Sequence, residues 1–428
     1  QNSPLLLKEM NEYGDVIWVN SRDMDSADIT ELEEIIPNKK RLDATKPKED
    51  FNMASTMDKA HVTPHQPTEF EVIEALYEEV SEIENPTVVV DSFEGLTTDL
   101  DEHEKENLRT RLVRLARDTN ANIAVIMETF EPNPLDYLAD GVITLKVDTI
   151  DDRRIRKVQL NKLRGTSIKM PCYLFTLNEG NFKYFPSFGV DIVAKPITPT
   201  PIPDFDDKIS TGISDFDVLL DGGYLKGGAH LFEIDTSIGK YYENIFLPTI
   251  INHLNQNRGF IHVPPTGRNT VTLLKSIGPY ISNRTISKYV TSIEKSSDIT
   301  NHSFEVFQAE GESLTEDIAP LFVARNTYHK DGPVLLLIGT DNLEYTYGVE
   351  DAHTAITDIV SETRLKNDVT ILLATEDQRL SDRISHIVDT HWRILGIHDS
   401  IVIYGIIPRT ELFCVSTDAT KGFIEPKF

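Results

Sequence analysis

Cysteine is scarce in this sequence, with Cys172 and Cys414 as the two cysteines among 428 residues. Two cysteines exclude a disulfide framework and a cysteine-rich zinc site, and their scarcity predicts an intracellular, cytoplasmic protein. No apolar run reaches the roughly 18 residues of a membrane-spanning helix, and no signal peptide is recognisable at the first residue. An initiator methionine is also missing, so we expect the numbering to begin inside a longer chain.

Basic residues are too few to balance the acidic ones. The chain has 42 Lys and Arg against 69 Asp and Glu, which gives a formal net charge of -27. Such a surface repels phosphate backbones and anionic membranes, so nucleic acid is disfavoured as a partner over most of the molecule. The charge favours solubility and leaves protein partners or self-assembly as the expected interactions.

Apolar runs that read as buried strands alternate with amphipathic helical segments along the whole chain. The run PTVVVDSFEGL (86–96) is followed by a helical pattern over 104–120 and then by ANIAVIMETF (121–130). The second half repeats this alternation from AHLFEI (229–234) to DSIVIYGII (399–407). Continuous apolar strands separated by helices predict an α/β fold whose mostly parallel sheets are flanked by helices.

A proline-rich segment separates two halves that resemble each other. VAKPITPTPIPD (193–204) cannot continue a helix or a central strand, so it predicts an extended linker. Asp91 precedes Asp140 by 49 positions (140 − 91), and Asp341 precedes Asp389 by 48 (389 − 341). We therefore predict tandem domains over 1–192 and 206–428, joined by a linker over 193–205.

The segment ISTGISDFDVLLDGGYLKGG (209–228) carries the most specific local signal. Its threonine-glycine turn at Thr211 and its glycine pairs resemble the opening of KaiC-family domains, which are RecA-like ATPases. The resemblance implies that the following strand ends in a phosphate-binding loop. Such a loop needs glycines around the phosphate oxygens, a lysine for the β- and γ-phosphates, and a hydroxyl for Mg²⁺.

The loop found there departs from that pattern. Gly239 and Lys240 match the expected positions and are the candidate cofactor-binding residues. Ile234 and Ser237 stand where the other glycines belong, and the bulky Tyr241 replaces the Mg²⁺ hydroxyl. These replacements predict a degenerate nucleotide site in the second domain.

Other family positions in this domain depart as well. Pro264 and Pro265 follow the second core strand, where the resemblance implies catalytic acids, and Gly339 takes the place of the metal-binding Asp. Asp341 is displaced from that place by two residues. Arg409 resembles the arginine of the family's Lys-x-Arg pair, although the lysine is replaced. We therefore predict little or no hydrolysis in this domain.

The first domain retains more of the family pattern. Asp91 ends an apolar strand and is the expected ligand of the Mg²⁺ water shell. Asp23 falls in the catalytic acidic pair, whose other member is replaced by Arg22. Lys162 and Arg164 occupy the Lys-x-Arg segment, which the resemblance directs at a neighbouring subunit's nucleotide, where cations would stabilise developing charge.

Three functions remain open from the sequence. The first is a KaiC-like regulatory or assembly protein, a pseudo-ATPase acting through partners or self-association, with ATP and Mg²⁺ at most in the first domain. The second is an active ATPase whose phosphate loop lies upstream of residue 1. The third is a Rad55-like DNA-recombination accessory protein, which the net charge of -27 disfavours. Tandem chains of this acidity are typical of archaea.

Overall fold

The computed structural model describes residues 16–20, 40–43, 69–81, 83–84, 86–129, 133–189, 193, 195–239, 241–295, 303–418 and 425–427. The chain forms two compact units. The first comprises Gln1–Leu145, Val158–Pro171 and Phe175–Lys183, and the second comprises Lys146–Lys157, Cys172–Leu174 and Tyr184–Phe428. The second unit thus includes three stretches of chain that the sequence assigns to the first domain, namely 146–157, 172–174 and 184–192.

The first unit is built on four parallel strands with helices in between. Its strands are β1 (Val16–Asn20), β2 (Lys40–Asp43), β3 (Thr87–Asp91) and β4 (Asn122–Ile126). Its helices are α1 (Glu69–Val80), α2 (Phe93–Leu96), α3 (Glu102–Thr119) and α4 (Pro134–Leu138). The strands lie in the order β2-β1-β3-β4, and every pairing between them is parallel.

Helix α3 shows how local sequence places the core of this unit. Asp101 caps its first turn through the backbone N–H of Glu104, and the Glu104 carboxylate accepts the N–H of Asp101 in return. Leu108, Leu112 and Leu115 recur at helical spacing and are buried in one cluster with the inward-facing valines of β3. The amphipathic pattern therefore fixes which face of α3 covers the sheet.

A four-stranded sheet with the order β5-β6-β7-β8 follows. Its strands are β5 (Gly141–Ile150), β6 (Arg153–Leu163), β7 (Cys172–Thr176) and β8 (Lys183–Phe185). The tip of the β5–β6 hairpin belongs to the second unit and its base to the first. The proline-rich segment has no helix or strand between 195 and 204, and its Ile202 N–H donates to the Asn252 side chain at 2.7 Å.

The second unit contains most of the remaining elements. Its strands are β9 (Lys208–Ile209), β10 (Tyr224–Leu225), β11 (Gly228–Ile234), β12 (Phe260–Val263), β13 (Val290–Glu294), β14 (Glu305–Gln308), β15 (Leu335–Gly339), β16 (Val369–Thr375), β17 (Thr390–Ile397), β18 (Ser400–Ile407), β19 (Phe413–Asp418) and β20 (Glu425–Lys427). Its helices are α5 (Ser214–Leu219), α6 (Glu243–Asn255), α7 (Thr270–Ile277), α8 (Asn283–Tyr289), α9 (Leu314–Tyr328), α10 (Thr340–Tyr347), α11 (Val349–Lys366) and α12 (Arg379–Ile384).

Ten of these strands form one sheet in the order β14-β13-β12-β15-β16-β11-β17-β18-β19-β20. The strands from β14 to β17 are parallel, and those from β17 onward are antiparallel. Every residue of β11, β12 and β15 is buried, as expected for a parallel sheet covered by helices on both faces. The predicted α/β fold with a mostly parallel sheet is confirmed.

A buried ion pair fastens the amino ends of the central strands. Arg325 of α9 donates through Nε to Asp368 at 2.5 Å, and both side chains are inaccessible to solvent. The other oxygen of Asp368 accepts the backbone N–H of Val334 at 2.8 Å, next to the start of β15. Asp368 itself precedes β16, so one carboxylate ties a helix and two strands together.

We expect Asp368→Ala to destabilise the protein by about 3–5 kcal/mol, because Arg325 would be left charged, buried and unpaired. Urea unfolding followed by circular dichroism measures the change. The matched control is Asp331→Ala, whose partner Lys288 lies at 3.6 Å on the surface. Removing Asp331 should lower the free energy of unfolding by less than about 1 kcal/mol. Equal losses in the two variants would contradict the proposal that Asp368 stabilises the ends of these strands.

A second charged cluster holds the hairpin tip within the second unit. The Arg153 guanidinium lies 4.3 Å from the centre of the Tyr404 ring and donates to the carbonyl oxygens of Gly405 and Thr410 at 2.6 and 2.8 Å. Asp151 accepts from Tyr404 at 2.5 Å and from Arg393 at 3.0 Å. Charged side chains therefore bind the hairpin turn to the neighbouring strands.

The same cluster contains a buried carboxylate in the centre of the sheet. Arg393 donates to Glu233 of β11 at 2.9 and 3.1 Å, and Ser381 and His391 also contact that carboxylate. Burial raises the pKa of Glu233, but the interactions of the carboxylate with His391, Ser381 and Arg393 outweigh it and lower the pKa to about 2. Glu233 thus stays ionised and contributes stability through its partners.

We expect this contribution to disappear in acid. Because the folded-state pKa lies below the ordinary value of 4.5, the stability is present above about pH 4.5 and is lost as the pH falls towards 2. Glu233→Gln should therefore be less stable than the natural chain by about 2 kcal/mol at pH 7, with the difference shrinking below pH 4. Denaturant unfolding between pH 2 and 7 tests this, and a pH-independent difference would contradict it.

Candidate functional site

Open parallel sheets bind ligands beyond the carboxyl ends of their strands, because strand-to-helix turns expose backbone N–H groups there. In the second unit this region lies where β11, β12, β15 and β16 end, and we call it the carboxyl edge. Four connections follow these strand ends: β11 to α6, β12 to α7, β15 to α10, and β16 to α12. The residues singled out from the sequence of this unit, apart from Arg409, lie in the first three.

The turn after β11 forms a single 3-10 turn, Thr236–Ile238, where the phosphate loop was expected. The Asp235 carboxylate accepts the backbone N–H of Ser237 at 2.6 Å. A backbone N–H of the kind that would surround a phosphate therefore already has an anionic partner within the chain. Gly239 has φ of 58°, a left-handed conformation that favours glycine, and Lys240 lies outside the described residues.

Tyr241 cannot act as the small hydroxyl that holds Mg²⁺ in a phosphate loop. Its ring packs edge-to-face on Phe188, with the ring centres 5.6 Å apart, and is 41% exposed. The aromatic side chain thus has a packing role at the beginning of α6.

The end of β15 has no room for the acid that the family pattern requires. A Cβ atom added to Gly339 would overlap the backbone of Pro265, so any side chain there forces the two strand ends apart. Asp341 is buried and is fully engaged: it accepts the N–H of Thr266 at 2.9 Å and the N–H of Asn342 at 2.8 Å. The displaced acid therefore anchors the β12–α7 turn.

Side-chain oxygens also accept backbone N–H groups after the end of β16. The side-chain oxygen of Gln378 accepts the Thr375 N–H at 2.8 Å and the Thr340 hydroxyl at 3.0 Å. Glu344 accepts the N–H groups of Leu380 and Arg379 at 3.1 and 3.3 Å, at the first turn of α12. Side-chain oxygens thus accept backbone N–H groups at all four connections of the carboxyl edge, with Asn342 as the donor next to the end of β15.

A small cavity lies beneath this edge, lined by residues that include Tyr242, His262 and Arg268. Its volume of about 20 Å³ suits one water molecule and is far too small for a nucleotide. Burial raises the pKa of Tyr242 and lowers the pKa of His262 to about 3. Both groups are therefore neutral near pH 7 and provide no charge for binding a phosphate.

The first unit presents a different arrangement around Asp91. This residue is half-buried at the end of β3, in register with Asn20 of β1 and Ile126 of β4. The following Ser92 caps α2 by accepting the N–H of Gly95 at 3.2 Å. Asp91 thus has the strand-end position expected of a metal-binding acid, whereas Asp23 lies outside the described residues.

Lys162 and Arg164 contact the end of α4 within their own unit. Lys162 donates to the carbonyl oxygens of Asp136 and Tyr137 at 2.8 and 3.1 Å. Arg164 donates to the same Tyr137 oxygen at 2.8 Å and to the Asp140 carboxylate at 3.1 Å. Cations at the carboxyl end of a helix are favourable, so this structure gives both residues a structural role. Arg164 remains 48% exposed.

Arg409 lies on the hairpin side of the second unit, where it donates to the carbonyl oxygen of Asp152 at 3.3 Å. Glu233, Glu344 and Gln378 have anchoring roles that were not predicted from the sequence. An acid inside the apolar run AHLFEI was a recognisable signal for Glu233, since buried acids require partners. Glu344 bears no such signal, because its partners are distant in sequence, and the same holds for the contact of Gln378 with Thr340.

Within the described residues, no group of three or more His, Cys, Asp or Glu side chains is arranged to hold a metal ion. None of the helices in this part of the chain is long and apolar enough to cross a membrane.

Residues 5–161 match the family model described as the P-loop domain of the GvpD gas vesicle protein. The chain is also similar to two Halobacterium salinarum proteins. Protein GvpD2 is 28% identical over 329 residues, which is 73% of this chain and 66% of that protein. Protein GvpD1 is 24% identical over 377 residues, with 74% and 69% covered. The chain therefore spans about two thirds of the length of each relative.

A shorter similarity concerns the circadian clock oscillator protein KaiC of Parathermosynechococcus lividus. It is 27% identical over 143 residues, which is 31% of this chain and 25% of that protein. Together the similarities support a relationship to P-loop, RecA-like proteins, which is the coarser part of the resemblance seen in the sequence. A P-loop domain implies nucleotide binding, commonly with Mg²⁺.

An acid at position 339, where the family pattern has an Asp, should lower the stability of the second unit. We expect Gly339→Asp to lose about 2–4 kcal/mol of stability and to gain no Mg²⁺-dependent ATP hydrolysis, because its Cβ overlaps Pro265. Thermal unfolding and phosphate release measure the two effects. The control is Gly278→Asp, where an added Cβ meets no atom within 4 Å. A stable Gly339→Asp protein with new ATPase activity would show that the edge can still open.

Proposed function

We propose that this chain is a regulatory or assembly protein connected with gas vesicles, with two tandem KaiC-like domains of which the second is a pseudo-ATPase. The observation that supports this most is the carboxyl edge of the second unit, where the chain's own side chains occupy the backbone donors. Similarity to GvpD proteins supports a regulatory P-loop protein and supplies the link to gas vesicles.

The tandem arrangement is supported by strand order. Four strands of the first unit lie in the order β2-β1-β3-β4, and four consecutive strands of the second lie in the order β13-β12-β15-β16. In both sets the chain visits the second strand of that order first, then the first, the third and the fourth. Under this correspondence Asp91 of β3 matches Gly339 of β15, which supports the proposal that the first domain keeps the acid and the second has replaced it.

The proposed mode of action is binding to proteins, including copies of the same chain. The net charge of -27 opposes binding to nucleic acid. A pseudo-ATPase domain would act instead through the surface by which it binds other proteins. In this proposal Mg-ATP binds the first domain, with Asp91 holding the water shell of the metal, and the second domain serves as a scaffold.

Asp91 also supports a second candidate, an ATPase active in the first domain. Its position at the end of β3 is the one expected of an acid that orients the metal, and the matched P-loop family model lies within the same domain. Catalysis would further require Asp23 as the acid that activates water, with Lys162 and Arg164 released from α4. Slow or absent hydrolysis separates the pseudo-ATPase from this candidate.

Mg-ATP binding to the full chain, measured by isothermal titration calorimetry, tests the proposal. We expect Lys240→Ala to leave the affinity within about twofold, since the second domain binds no nucleotide. Asp91→Asn should weaken binding by about tenfold, because the metal loses an anionic partner.

Three results would change the assignment. Loss of binding in Lys240→Ala would place the nucleotide in the second domain and overturn the pseudo-ATPase proposal. Rapid phosphate release that Asp91→Asn abolishes would favour the active ATPase. If neither the natural chain nor Lys240→Ala binds nucleotide at millimolar concentration, the proposal of nucleotide binding in the first domain is wrong and only the scaffold role remains.

A further inference from the structure

Helix α9 of the second unit carries apolar side chains on both of its faces. Its inner face packs into the core of that unit and consists of the buried residues Asp317, Leu321, Ala324, Arg325 and Tyr328. On the outer face Ala319 and Val323 are exposed, and 62% of Val323 is accessible to solvent. No residue from 318 to 324 is charged. The outer face of a surface helix is normally polar or charged, so the middle of this one suits contact with another protein.

The two ends of this outer face carry opposite charges. Exposed residues recur along it at alternate spacings of four and three, which places them in one stripe of a helix. We call this set the outer stripe, and it consists of Glu312, Glu316, Ala319, Val323, Asn326 and Lys330. Glu312 lies just before the first turn of α9, and Lys330 lies in the 3-10 turn His329–Asp331 that follows its last turn. The outer stripe is therefore acidic at its amino end, apolar in the middle and basic at its carboxyl end.

We propose that α9 packs antiparallel against the α9 helix of a second copy of this chain, with the two-fold axis at the level of Leu321. This register places Ala319 opposite Val323 of the second copy, on both sides of the axis. Glu316 then lies opposite Asn326 of the second copy, and Glu312 lies opposite its Lys330. Each apolar residue of the outer stripe thus meets an apolar residue, and opposite charges meet at both ends.

Charge and burial both select this arrangement over its alternatives. A parallel pair would place Glu312 opposite Glu312 and Lys330 opposite Lys330, and neighbouring like charges are destabilising. An antiparallel pair shifted by one heptad in either direction would place Val323 opposite Glu312 or Asn326, so the valine would lose its apolar neighbour. Self-complementarity of this kind is what an isologous two-fold interface requires, and it identifies a second copy as the occupant.

The pairing rests on the self-association part of the proposed function and deepens it, and it requires no nucleotide. The small side chain of Ala319 allows the two helix axes to approach to about 8 Å. One pair of helices buries less surface than a standard interface of about 1,600 Å², so we expect a weak dimer that forms as the protein concentration rises. Sedimentation equilibrium from about 1 to 300 µM protein, in about 0.15 M salt, covers the range in which such a dimer dissociates.

Val323→Lys tests the apolar centre of the interface, since it places a charge on each side of the two-fold axis. We expect the dimer dissociation constant to rise at least about tenfold, while circular dichroism shows an unchanged fold because the valine is exposed. The matched control is Val218→Lys on α5, where the valine is 79% exposed. This control should leave the dissociation constant within about twofold of the natural value. An equal rise in the control would overturn the assignment of the interface to α9.

Charge reversal at the ends of the outer stripe tests the register. Glu312→Lys and Lys330→Glu each bring like charges together at both ends of the helix pair, so we expect each to raise the dissociation constant by about threefold or more. The double variant restores opposite charges and should return the dissociation constant to within about twofold of the natural value. An effect of net charge alone would have opposite signs in the two single variants, because one removes negative charge and the other adds it.

The outcomes are distinct from those of the nucleotide experiment. A strict monomer over the whole concentration range, or a dimer that Val323→Lys leaves unchanged, would overturn the α9 pairing. Opposite effects of Glu312→Lys and Lys330→Glu, or a double variant no tighter than the single ones, would overturn the register. None of these results alters the test of Mg-ATP binding, because that test depends on Asp91 of the first unit and α9 belongs to the second.

Discussion

The second unit depends on one constraint: the backbone donors at the ends of its parallel strands must find acceptors. In an ATP-binding relative of such a fold, phosphate oxygens supply part of that need. Here Asp235, Asp341, Glu344 and Gln378 accept those N–H groups from within the chain. The edge is consequently stable without a ligand, and a phosphate would have to compete with carboxylates that are already in place.

Packing also explains why the end of β15 has a glycine and no acid. Gly339 and Pro265 approach so closely that the chain cannot carry a side chain at the strand end, while Asp341 two residues later anchors the neighbouring turn. Several departures from the family pattern are thus coupled through packing. Reversing one of them would leave the others in conflict with it.

The first unit differs from the second in the positions of its charged residues. Asp91 stands at a strand end in the position of a metal-binding acid, whereas Lys162 and Arg164 neutralise the carboxyl end of α4. An intersubunit role for these two cations, which the family resemblance implies, would require them to leave those carbonyl oxygens. Any catalytic use of the pair would therefore require these hydrogen bonds to the end of α4 to break.

The sequence by itself determined the α/β class, the alternation of strands and helices, and the residues that depart from the pattern of a phosphate loop. These features are local, because apolar periodicity and missing residue types are legible without partners. Tertiary structure decided what the remaining polar groups do. Asp341, Glu344 and Arg164 look like ordinary charges in the sequence, and their partners lie 75, 36 and 24 residues away. Only folding brings such distant groups together, so only the structure could reveal which backbone donors they satisfy.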